Sequence, residues 1–464
     1  MSMDQQSPHP ETLWTEANAL AGQGNLLDAI PLYLQLSDLW PDRAAVWLNL
    51  GIILGALHRH EEAAQCLRRA LDMEPDNSTA HYHLGQMQEH LGALDEAARS
   101  YLTAAELDPR NLDAWKGMAD IALQCGEFDL AQQYLEPVLS LDTEDAHGNF
   151  LMGNLLQAQG DDEGAARHFA VAYESANDPA CGNNLASALA ELGRRGEAIV
   201  LLNKLLEMHP GFKLAWNTLG GLLMQEKNYA AAREALEQAI AIDEDFHPAR
   251  HGLARGLVQI RDLLGARKHF EYLLQETPDD SSVMKDQAVI LERLGEIDEA
   301  VALRERAIEL APNDARLSAD HANLLQTKMR YEEAEAYALR ALAADPNELR
   351  ARMAITSCCF NTDRSDEALE HLSLIMNSGT RDIAVLNSIG MLFENWKEAA
   401  KAIAVYEHVL EIEPGNANAT IRIFDLKMGI CDWTNYDDVS RAQIDQSAAG
   451  CADDGADDHR FDVF

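Results

Sequence analysis

Residues 44–75 read AAVWLNLGIILGALHRHEEAAQCLRRALDMEP, and the spacing inside this stretch decides the fold. Small Gly51 precedes small Ala63 by twelve residues, and Pro75 follows Ala63 by another twelve. Outward in both directions the alanine recurs as Ala29, Ala97, Ala131, Ala165, Ala198, Ala232, Ala266, Ala300, Ala334, Ala368 and Ala402, at steps of 34 residues except for one of 33 after Ala165. Twelve places before each stands a small residue, from Ala17 through Gly220 to Thr356 and Gly390. Twelve places after, proline occupies eight of the twelve copies, from Pro41 to Pro414. Proline cannot continue a helix, so each copy is a unit with its own stop. Two small positions at a fixed offset bring two backbones into close approach.

This pattern resembles the tetratricopeptide repeat, a 34-residue helix–turn–helix. Trp47, Leu50, Gly51, Leu54, Ala63, Leu67, Ala70 and Pro75 fill its slots in one copy, and Trp216, Leu219, Gly220, Leu223, Ala232, Leu236 and Ala239 nearly fill them in another. The resemblance implies an all-α, right-handed solenoid of about twelve helix–turn–helix repeats, because no hairpin buries its apolar stripe without a stacked neighbour. The expected organisation is a disordered N-terminus at 1–9, twelve repeats over 10–416 and a capping helix at 417–430. A junction segment at 431–450 and an acidic tail at 451–464 complete it. The array is expected to be elongated.

The formal charge is −40, which repels phosphate backbones and anionic bilayers alike. Nucleic acid and membrane are therefore excluded as partners, and proteins or extended peptides remain, with a homodimer through the repeat faces as one further expectation. No apolar run approaches the roughly 18 residues of a membrane span, and the start MSMDQQSPHPETLW lacks the layout of a secretory leader. A cytoplasmic protein is expected. The seven cysteines form no CxxC pair and read as small core residues, including Cys358 and Cys359 in the eleventh repeat.

No GxGxxG, GxxxxGK[ST], HExxH or GxSxG occurs in the chain. His58 and His60, like His81 and His83, have an i, i+2 spacing. On a helix this points the imidazoles about 200° apart, so neither pair shares an ion without outside ligands. Acidic pairs such as Asp95 and Glu96, or Glu332 and Glu333, fall at the start of second helices, where they meet the helix dipole favourably. The reading assigns no catalytic residue, no cofactor and no metal.

By resemblance to the family, the second, fifth, sixth and ninth positions of each repeat line an inner wall. The residues expected to bind peptide there are Asn49, Asn154, Asn183, Asn184, Asn217, Arg255, Lys285, Arg316, Asn323, Arg350 and Asn387. An amide both donates to and accepts from a peptide unit, so such a wall would hold an extended chain by its backbone. The Lys-then-Asn pair with which chaperone-binding repeats grip a C-terminal carboxylate is missing, since Asp120 follows Lys116 and Val289 follows Lys285. The wall grows more basic from Arg255 to Arg350, which favours an acidic peptide there.

Behind the array, Cys431-Asp432-Trp433-Thr434-Asn435-Tyr436-Asp437 resembles the junction of the O-linked N-acetylglucosamine transferase and SPINDLY-like family. In that family the segment leads into a glycosyltransferase that uses a nucleotide sugar. Only 33 residues follow Cys431, and a Rossmann lobe needs on the order of 100 or more. The resemblance therefore implies a substrate-recruiting arm whose catalytic domain is missing from this chain. The competing expectation is a free-standing repeat scaffold with no enzymatic domain.

Overall fold

The protein is described by a computed structural model covering residues 9–430. The junction segment and the acidic tail lie outside the described residues, as do Cys431 and Cys451. The chain divides into two compact units, Met1–Gly256 and Leu257–Phe464.

The first unit is built of hairpins: α1 (Pro10–Gly22) with α2 (Leu26–Leu39), α3 (Ala44–Ala56) with α4 (His60–Met73), α5 (Ser78–His90) with α6 (Leu94–Leu107), and α7 (Leu112–Gln124) with α8 (Phe128–Leu141). It continues with α9 (Ala146–Ala158) and α10 (Asp162–Ala176), α11 (Pro179–Glu191) and α12 (Arg195–Met208), and α13 (Lys213–Gln225) and α14 (Tyr229–Ile242). The division falls inside α15 (His247–Gln259). The second unit holds α16 (Leu263–Glu276), then α17 (Ser281–Leu294) with α18 (Ile297–Leu310), α19 (Ala315–Thr327) with α20 (Tyr331–Ala344), α21 (Leu349–Asn361) with α22 (Ser365–Asn377), and α23 (Ile383–Asn395) with α24 (Ala399–Ile412). The helix α25 (Ala417–Gly429) packs on α24. Among the described residues there is no strand, and the fold is the all-helical solenoid type that the 34-residue period implies.

Each hairpin is made by the same local chemistry. An Asn or Asp often caps the first helix, as Asn77 accepts from the Ala80 amide at 3.0 Å and Asp314 from the Leu317 amide at 2.9 Å. The fourth position then closes the entry. Trp47, Trp115 and Trp216 donate from Nε1 to the carbonyls of Pro41, Pro109 and Pro210 at 3.0, 3.2 and 2.9 Å. Arg352 reaches the Pro346 carbonyl in the same way at 2.7 Å. The stop proline thus presents an acceptor that the next hairpin fills. Between the two helices the residue five before each repeat alanine has a left-handed backbone, as in Gly126 (φ 75°) and His58 (φ 60°).

The small positions are small because the partner helix leaves no room. A Cβ on Gly220 would stand 2.5 Å from Leu236 Cγ, whereas one on the adjacent Gly221 would meet nothing within 4 Å. Leu236 is 2% exposed and has nowhere to retreat. The two neighbours therefore report the packing with opposite signs. G221A should stabilise by about 0.5–1 kcal/mol through helix propensity. G220A should destabilise by about 1–2 kcal/mol despite the same propensity gain, because it overfills the interface. Chemical denaturation of the two variants checks this.

Candidate functional site

Consecutive first helices touch one another within each unit, α3 with α5, α5 with α7, α7 with α9 and α11 with α13 in the first, and α19 with α21 and α21 with α23 in the second.

In the first unit much of the wall's hydrogen-bonding capacity is used internally. Asn49 Nδ2 donates at 3.2 Å to both Asn18 Oδ1 and Tyr33 Oη, and Tyr33 donates to Asn18. Gln86 Nε2 donates to Tyr82 Oη at 2.8 Å, and Gln86 Oε1 lies 2.9 Å from His83 Nδ1. Asn184 Nδ2 donates to Asn154 Oδ1 at 3.3 Å. Asn183 keeps a buried Oδ1 without a partner, and Asn217 is half-buried on α13. Arg255 is exposed on α15.

Lys116 is 8% exposed, with Nζ 2.9 Å from Asp113 and 3.0 Å from Asp145. Burial alone would lower its pKa, but the two carboxylates outweigh burial and raise it. Burial would likewise raise Asp145, but the hydrogen bonds from the Gly148 amide and Lys116 hold it below its usual range.

The second unit repeats this device at two of the basic wall residues. Lys285 Nζ lies 4.0 Å from Asp314, at the same 29-residue offset as Lys116 and Asp145, and Arg350 Nη1 lies 2.9 Å from Asp320. Each cation meets an acid one repeat away, so its charge is locally balanced. Arg316 and Asn323 are exposed on α19, and Asn387 has a buried Oδ1 without a partner.

The structure brings two of the expected residues, Asn323 and Arg350, into one cleft of about 490 Å³ along α19, α21 and α23. Gln326, Met353, Asp382, Ser388 and Met391 also line it. Sequence reasoning omitted Met353 and Met391 by keeping only the polar members of the wall series. They occupy its fifth and ninth positions, so the register alone would have found them.

Glu335, Cys359 and Glu367 place ligand atoms within 4.8 Å of one another, but Arg364 already bridges the two carboxylates. Four cysteines are buried as expected, and burial pushes the Cys181 thiol up to about 11 and Cys358 to about 12, far from thiolate reactivity. Cys125 departs from that expectation, since it is exposed at the end of α7. His81 and His83 are engaged separately, by the Pro75 carbonyl and by Gln86. His58, however, lies outside any helix, so the 200° argument does not apply to it. No helix among the described residues is long and apolar enough to cross a membrane.

Tetratricopeptide repeat models match residues 51–111, 183–245, 251–315 and 320–375, and further models of the same repeat match 10–76, 90–155 and 383–416. The chain belongs to the tetratricopeptide repeat family, a class suited to protein–protein interaction. Protein FlbA of Caulobacter vibrioides is 32% identical over 120 residues, which cover 25% of this chain and 20% of FlbA. The chain thus spans about one fifth of the length of that relative. Among solved structures, the APC/C hetero-tetramer Cut9–Hcn1 aligns over 90% of each chain at 15% identity with a TM-score of 0.45. A tetratricopeptide repeat protein from Parabacteroides merdae aligns over 53% of this chain and 98% of its own at 17% identity, also with a TM-score of 0.45.

The pairing of Lys116 makes a pH prediction. In D145N the asparagine still caps α9, so only the charge is lost, and the expected cost at pH 7 is about 1–3 kcal/mol. Because the folded-state pKa of Asp145 is depressed, its contribution is present above the unfolded value near 4 and is lost as pH falls through the folded value. Thermal melts should show a gap between wild type and D145N at pH 7 that closes toward pH 3.

Proposed function

We propose that this protein binds extended peptide segments of other proteins on its first-helix wall, with the cleft along α19, α21 and α23 as the principal contact. The observation that carries this is the composition of that cleft. Met353 and Met391 supply adaptable apolar surface, and the Asn323 amide supplies a donor and an acceptor for a peptide backbone, while Gln326 and Ser388, which donate to the Ala354 and Ala384 carbonyls, offer acceptor oxygens. Arg350 is balanced by Asp320, and Asp382 faces the same cleft, so an overall acidic peptide is not the favoured ligand. In the first unit Asn183 retains the unpartnered acceptor that a peptide amide would fill.

A finer reading rests on the segment from Cys431 to Asp437 alone. Its resemblance supports the array as the substrate-recruiting arm of a cytoplasmic protein O-glycosyltransferase. Reading the gene past the codon for Phe464 tests that point, since an in-frame glycosyltransferase supports the arm and a stop codon favours the free-standing scaffold.

Peptide capture is tested independently with a display library of unstructured peptides panned on the full chain. Selected peptides should lose about tenfold or more in affinity for the triple variant N323A/M353A/M391A, since several contacts each worth about 0.5–1.5 kcal/mol accumulate. Circular dichroism should report unchanged helicity. Unchanged affinity would move the site elsewhere, with the quadruple variant N154A/N183A/N184A/N217A as the next measurement.

A further inference from the structure

Three imidazoles meet where the second hairpin joins the third. The helix α3 ends at Ala56 and α4 begins at His60, so His58 sits in the turn, where the left-handed backbone folds it back beside His60. Their ring centres are 5.7 Å apart. His90, the last residue of α5, brings a third ring to 4.5 Å from His60. Nδ1 of His60 is shielded from solvent and has no hydrogen-bond partner. A buried polar atom left unpaired is costly, and such atoms are rare unless something fills them.

We propose that His58, His60 and His90 bind one divalent transition-metal ion, zinc foremost, which ties the second hairpin to the third. Imidazole nitrogen suits zinc, copper or nickel and does not suit magnesium or calcium. A metal–nitrogen bond of about 2.0–2.1 Å, with the ring centre about 1.1 Å further out, puts two ring centres about 5 Å apart around a tetrahedral ion. The observed 4.5 and 5.7 Å bracket that value. The ring nitrogens do not yet converge within 4.8 Å of one another, so binding requires the exposed His58 and His90 side chains to turn. Among the described residues neither ring is held by a hydrogen bond, so that rotation breaks none.

The surroundings favour a cation. His90 lies at the negative end of the α5 dipole and His58 just beyond that of α3, against the single positive end of α4. Three ligands leave the fourth position of the ion to water.

The full chain, stripped with chelator, is titrated with zinc chloride by calorimetry and with cobalt(II) by visible absorption. One ion per chain is expected, with cobalt bands of tetrahedral intensity. H60A and H90A should each weaken binding by more than about tenfold, since loss of even an outer-shell partner costs about 10–100-fold. H147A, which removes an exposed histidine elsewhere in the same unit, should leave it unchanged. Excess magnesium should not compete, and zinc should raise the Tm of wild type but not of H60A, with circular dichroism confirming that each variant is folded. The proposal is overturned if no saturable one-to-one binding occurs, or if H147A weakens binding as much as H60A. Displacement of zinc by magnesium, or light scattering that shows the ion held only between two chains, overturns it equally.

Discussion

Everything in this structure rests on one contact, made in ten of the twelve copies by a large apolar or aromatic side chain of the second helix pressed against a small residue of the first. Four residues after the repeat alanine stand Tyr33, Leu67, Tyr101, Leu135, Phe169, Leu202, Leu236, Phe270, Leu372 and Tyr406, all buried. Tyr101 shows what the contact does. A Cβ on Gly85 would lie 2.7 Å from its Cδ1, and a Cβ on Gly117 would lie 2.7 Å from its Cε2. One ring therefore fills the space before both α5 and α7 and sets the distance between them. Because consecutive first helices are spaced this way, their remaining sides form a wall, and the register of that wall follows from the register of the small residues.

Two copies break the rule, and both lie in the second unit. Arg304 takes the place of the large apolar residue, 4% exposed, and pairs with Glu292, which stands four residues after the small Ala288. A buried charge is tolerated only when paired, so this hairpin substitutes an ion pair for apolar packing. Next to it His321 is fully buried, edge-on to Tyr337 at 4.4 Å, and burial followed by the nearby Arg304 pushes its pKa down to about 4. It is neutral at physiological pH, because burial beside a guanidinium disfavours a second positive charge there. In the following copy Ala338 leaves the slot small, in the same core cluster as Ala322, the small residue of its hairpin.

The helices were legible in the sequence because their signals are local and repeated. Alanine, glycine and proline at fixed offsets report sterics that any copy shows by itself. The wall was legible as a set of positions but not as a surface, because its chemistry depends on partners one repeat away. Lys285 reads as a free cation until Asp314 is placed beside it, although the 29-residue offset shared with Lys116 and Asp145 is present in the chain. Met353 and Met391 were passed over because only the polar members of the wall series were kept. The angle argued for His58 and His60 does not apply because His58 lies in the turn between helices with a left-handed backbone, where the geometry of a continuous helix has no meaning.

We propose that partners are held on the first-helix wall and not on the second helices. A photo-crosslinking amino acid placed at Met391 tests this against the same group at Leu339, which is 52% exposed on α20 in the same unit. Illumination in the presence of a bound peptide should give crosslinks from position 391 and none above background from position 339. Equal or stronger crosslinking from 339 would place partners on the second helices instead.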